Sequence, residues 1–135
     1  MEKKLIEEWQ ERLGLSDWAI IMRYNCERED LEDENAVGET SWIDSNKSAV
    51  IRIVSEKVYG NDRIIDFDFE KTLVHELLHI KFSYLQLENK TYESKVLDET
   101  IRQLIDDLAR AFVMAKRGET KRKLNCEKVK DISEK

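Results

Sequence analysis

The sequence predicts an α+β domain: an N-terminal helix, a small and mainly antiparallel sheet of three strands, and two long helices packed on one another. Three observations carry this expectation. Apolar residues recur at helical spacing at the start of the chain, β-forming residues crowd into three short runs before residue 55, and two long stretches with helical period follow residue 63, in a chain without proline.

Residues 2–13 place Leu5, Ile6, Trp9 and Leu13 on one face, and Gly14 stands where a helix C-terminus uses glycine. Residues 18–26, WAIIMRYNC, are rich in β-formers. The runs AVGETSWID (36–44) and SAVIRIV (48–54) flank a polar turn at Asp44, Ser45, Asn46 and Lys47, which predicts a hairpin. After a polar connection over residues 56–63, residues 66–87 carry Phe67, Phe69, Leu73, Val74, Leu77, Leu78, Ile80, Phe82, Tyr84 and Leu85 around most of a helix, the pattern of a core helix. Residues 92–116 set Leu97, Ile101, Leu104, Ile105, Leu108, Phe112 and Ala115 along one stripe, which gives that helix a packing face.

At 135 residues the chain accommodates one core, so residues 1–116 are expected to form the domain and residues 117–135 a charged, flexible tail. The opening MEKKLIEEWQERLG has neither a signal-peptide apolar core nor a membrane-spanning run, which predicts a soluble, cytoplasmic protein without membrane partners. Cys26 and Cys126 lie far apart without CxxC spacing, arguing against a disulfide framework or a cysteine zinc site. The net charge of −6 and pI near 5.1 speak against a general nucleic-acid binder. Charge is unevenly spread: EREDLEDE (27–34) is mostly acidic, while residues 116–135 hold eight basic and four acidic side chains with no aromatic among them.

The stretch TLVHELLHIKF, residues 72–82, contains both histidines of the chain, His75 and His79, four residues apart around Glu76. On a helix, positions i and i+4 share a face, so both imidazoles can reach one metal ion at about 2.0–2.1 Å. Glu76, about 100° round the helix, is placed to act as general base on a water that a bound zinc acidifies, which is the chemistry of amide hydrolysis. A five-residue pattern with three fixed letters also arises by chance. Here it interrupts a nearly all-apolar helix, where polar groups need partners that a metal and its water supply.

A catalytic zinc needs a third protein ligand and an open position. With no further histidine, the carboxylates that follow are Glu88, Glu93, Asp98 and Glu99. HELLH followed by nineteen residues and Glu99 resembles the gluzincins, the thermolysin-like branch of the zincin metallopeptidases. The order of elements is similar to that of minimal gluzincins and of SprT-like and phage-encoded small metallopeptidases. The resemblance implies a zincin-like fold, zinc held by His75, His79 and Glu99, and Glu76 as catalytic base. The shorter spacing of aminopeptidase-like gluzincins would select Asp98 instead. Gln103 stands where thermolysin-like enzymes carry a histidine-orienting aspartate, with Asp106 another turn along on the same face.

The implied activity is zinc-dependent hydrolysis of peptide bonds in a narrow set of peptide or protein substrates. The alternative is an inactive zinc-binding or helix-rich interaction domain. By analogy an extended peptide would pair with an edge strand, for which residues 49–54 are the expected choice, and Tyr84, Tyr92 and Arg102 are the candidate oxyanion donors.

Overall fold

In the computed structural model, residues 2–33, 35–60, 65–85 and 92–118 are described. The order is α1 (Glu2–Arg12), β1 (Ala19–Cys26), β2 (Gly38–Ile43), β3 (Ser48–Val54), a single turn α2 (Glu56–Tyr59), α3 (Phe69–Lys81) and α4 (Tyr92–Arg117), with 3-10 turns at Arg28–Asp30 and Ser83–Leu85. This is the expected N-terminal helix, three-stranded sheet and pair of packed helices, a zincin-like α+β arrangement.

The strands lie in the order β1-β3-β2. β2 and β3 form the predicted antiparallel hairpin, with Lys47 in the left-handed region (φ 51°) closing the turn onto Asp44. β1 pairs with β3 in parallel, so the sheet is mixed. β3 thus lies between β1 and β2. Having a partner on both sides, β3 presents no free edge, and the expectation that residues 49–54 receive a substrate strand is corrected: β2 is the edge strand next to α3.

One face of the sheet is covered. β3 alternates in burial, and Ala49, Ile51 and Ile53 face the helices. They meet Ile6 and Trp9 of α1, the apolar face of α3 (Leu73, Val74, Leu77, Leu78, Ile80) and Ile101, Ile105, Ala109 and Val113 of α4. Each large aliphatic side chain so enclosed contributes about 1.5–3 kcal/mol, and α3, with sheet on one side and α4 on the other, is the spine of the core. Asp68 caps α3, its side chain accepting from the Lys71 amide, and the helix ends at Phe82 before the 3-10 turn. It therefore starts later and stops earlier than residues 66–87. Residues 86–87 and Glu88 lie outside the described residues, as does the tail from residue 119, Cys126 included. Cys26 is a buried free thiol under Leu31 and Val54. Among the described residues no helix is long and apolar enough to cross a membrane.

Candidate metal centre

The site grows out of the middle of α3. Leu73, Val74, Leu77 and Leu78 anchor the helix in the core, which turns the remaining arc, with His75, Glu76 and His79, toward β2 and α4. His75, Glu76 and His79 each bring one donor atom into a group whose members lie within 4.8 Å of one another. The two imidazole rings are 5.1 Å apart, centre to centre. The packing of α3 on α4 together with this triad defines a zincin-like HExxH arrangement with metal-coordinating geometry.

Electrostatics favour the protonation states that metal binding needs. Burial lowers the His75 pKa, opposed by the charge of Asp106, and burial lowers that of His79 to about 4, helped by His75 and Arg102. Both imidazoles are thus neutral at neutral pH, the form that ligates a cation. Glu76 is 4% exposed. Burial pushes its carboxyl up to about 7, against a hydrogen bond from Thr40 and with a further upward push from Glu39. Two neutral imidazoles one helical turn apart, with a carboxyl beside them, suit zinc as a pair of ligands and a base, so these residues fit that ion.

Around the triad, Thr40 of β2 donates to Glu76 Oε1 at 2.5 Å, and Gly38 approaches so closely that a Cβ there would lie 3.0 Å from Oε2. On the α4 side, Asp106 Oδ1 is 3.6 Å from His75 Nδ1, and the same carboxylate takes the Arg110 guanidinium at 3.1 Å. At 3.6 Å, beyond hydrogen-bond length, the carboxylate acts on the Nδ1 side of the ring through its charge. A cleft of about 370 Å³ opens beside His75, Glu76 and Asp106, with Lys71, Tyr59 and Asp66 on its walls.

The sequence-derived candidates are not all gathered here. Glu99 projects from α4 with its side chain 71% exposed, 3.8 Å from Arg102, and stands outside the donor group. Asp98, one position earlier, is half-buried and has one carboxylate oxygen buried. Glu93 is exposed. Tyr84 and Tyr92 are among the most exposed aromatic side chains, and neither they nor Arg102 line the cleft. Thr40, Gly38, Tyr59 and Lys71 were missed. Strand order and the α2 turn bring Thr40, Gly38 and Tyr59 to the site, which no local pattern marks, whereas Lys71 lies one turn before His75 on α3, within reach of the helical period. Comparison with protein-family models, curated proteins and solved structures finds no match for the chain.

Proposed function

We propose that this chain is a zinc-dependent metallopeptidase that hydrolyses peptide bonds, with His75, His79 and an α4 carboxylate as protein ligands and Glu76 as general base. The observation that carries it is Glu76 itself: a carboxyl buried beside two neutral histidines, with a pKa raised to about 7, matched to taking and returning a proton at neutral pH. A structural metal site needs no such base. When bound, zinc would acidify a water and polarise the scissile carbonyl.

The chain's own residues supply the rest. His75 and His79 hold the cation as neutral imidazoles, with the charge of Asp106 beside His75. Glu76 accepts the proton of the attacking water and delivers it to the leaving amine. An extended peptide pairs with the outer edge of β2, where main-chain hydrogen bonds supply affinity and place the scissile bond over Glu76. Residues 1–117 form the catalytic domain, Arg117 being the last residue of α4 and the partner of Asp68, and the tail that follows is dispensable for turnover. For the third ligand, spacing selects Glu99, and Asp98, half-buried one position earlier, is the alternative. Alanine substitution of each, read by zinc stoichiometry, identifies the ligand as the one whose loss releases the ion.

The test is zinc content of the purified protein followed by cleavage of an unstructured peptide library, with Glu76→Gln as control. One zinc per chain, with cleavage abolished in Glu76→Gln, supports the reading; absence of zinc after reconstitution ends it. The outward position of Glu99 favours one second reading, a zinc-binding interaction domain without turnover. That reading expects stoichiometric zinc and no cleavage by the wild type.

A further inference from the structure

Glu76 is gripped from outside its own helix. Thr40 and Gly38 are alternate residues of β2, so both face α3, and both touch the Glu76 carboxyl. The Thr40 hydroxyl lies 2.5 Å from Oε1 and 3.3 Å from the Glu76 backbone oxygen, so the shorter contact takes its one proton. Oε2 lies on the Gly38 side, together with the Cγ and Cδ atoms, at 3.0, 3.1 and 3.2 Å from where a Cβ on residue 38 would stand. A side chain at 38 would crowd the carboxyl, which would have to give way by a few tenths of an ångström.

We propose that Thr40 is a positioning residue for the general base: its hydroxyl occupies Oε1, holds the Glu76 side chain in one rotamer against β2, and leaves Oε2 as the oxygen that accepts the proton. Gly38 is the companion that keeps Oε2 unobstructed. This rests on the peptidase reading above and names two residues of the edge strand that the motif does not contain. The same strand that receives the substrate backbone thereby sets the direction of the base, so substrate register and base orientation are built on one element.

The consequence is specific to turnover. Misplacing a catalytic group by about 1 Å costs on the order of 100-fold in rate, whereas zinc is held by His75 and His79, which Thr40 does not touch among the contacts above. The experiment compares wild type, Thr40→Val and Thr40→Ser, each loaded with zinc, on a quenched fluorescent peptide cleaved by the wild type. Two readouts are independent of turnover: zinc stoichiometry, and the 13C chemical shift of the Glu76 side-chain carboxyl, assigned by its loss in Glu76→Gln.

Thr40→Val is expected to lower kcat about 10- to 100-fold with KM and zinc content unchanged, and to move the Glu76 carboxyl resonance. Thr40→Ser is expected to restore both. An unchanged kcat in Thr40→Val, or a resonance that does not move, overturns the positioning role while leaving the peptidase reading intact. A fall in kcat that serine does not rescue assigns Thr40 to packing and also overturns it. A zinc-loaded wild type that cleaves nothing overturns the peptidase reading and this one with it.

Discussion

At the first turn of α3, Asp68 receives a two-pronged hydrogen bond from Arg117 at 2.8 and 3.0 Å, and Glu70 meets Lys116 and the Trp9 indole, the latter at 2.7 Å. Two turns later, Glu76 has as its neighbours a hydroxyl and another carboxylate. The start and the middle of one helix thus treat carboxyl groups in opposite ways. Burial raises the pKa at all three, but at Asp68 and Glu70 the cations of α4 outweigh it and the net shift is downward. At Glu76 no counter-cation is supplied among the described residues and the shift is upward, to about 7. The first arrangement clasps α1, α3 and α4 together; the second holds a proton acceptor ready. A polar group that stabilises is matched with an opposite charge, and one that works is left short of one.

This contrast can be broken most strongly through the metal. If the second region is built for a cation, zinc at about 1,000 times its Kd should stabilise the chain by about 4 kcal/mol, seen as a rise in melting temperature that a chelator reverses. His79→Ala should abolish both the rise and the bound ion. A melting temperature indifferent to zinc would reduce the site to three polar residues on a core helix.

Next in size is Glu76→Gln. Burial holds the Glu76 pKa at about 7 in the folded protein against 4.5 unfolded. The folded state therefore binds more protons between these values, and stability falls as pH rises through that window. The penalty is absent below 4.5, complete above 7, and on the order of 3 kcal/mol. In chelator, Glu76→Gln should melt above wild type at pH 8 and converge with it near pH 4. Parallel curves across that range would contradict the raised value.

The clasp should behave with the opposite sign and smaller size. Arg117→Ala should cost about 1 kcal/mol at neutral pH without altering zinc content. Because the folded pKa of Asp68 lies below its ordinary 3.8, that contribution is present above pH 3.8 and is lost as pH falls through the folded value. Urea titrations at pH 7 and pH 3 should show the gap between variant and wild type closing. A gap that widens in acid would refute the assignment.

The smallest expected effect on stability is at Glu99. Its exposed pair with Arg102 should be worth no more than about 0.5 kcal/mol, so Glu99→Ala should leave the chelator-treated melting temperature almost unmoved. Loss of zinc in that variant would then be a ligand effect, with no contribution from unfolding.

Much of this was legible in the chain. Helical periods located α1 and α4 to within about a residue and overran α3 at both ends, and the pairing of His75 and His79 around Glu76 follows from 3.6 residues per turn whatever surrounds them. The stripe on α4 was legible only as a broad arc. Of its members, Ile101 and Ile105 turn into the core beside Ala109 and Val113, and Leu97, Leu104 and Phe112 stay partly exposed. Hydrophobic period marks an apolar arc but not where along it a neighbour lies, and that choice leaves Glu99 facing solvent.

By itself, then, the sequence determined the local facts: which segments coil or extend, the hairpin at Asp44–Lys47, and a histidine pair with a glutamate between them, because these depend on backbone geometry over a few residues. Only the tertiary structure decided that β3 fills the centre of the sheet and β2 its edge, that Thr40 and Gly38 meet Glu76, and that Asp106 meets His75. The partners in the last two are 30 or more residues apart in the chain, and the energies that select them are those of burial and of matching charge between elements, which no local pattern records.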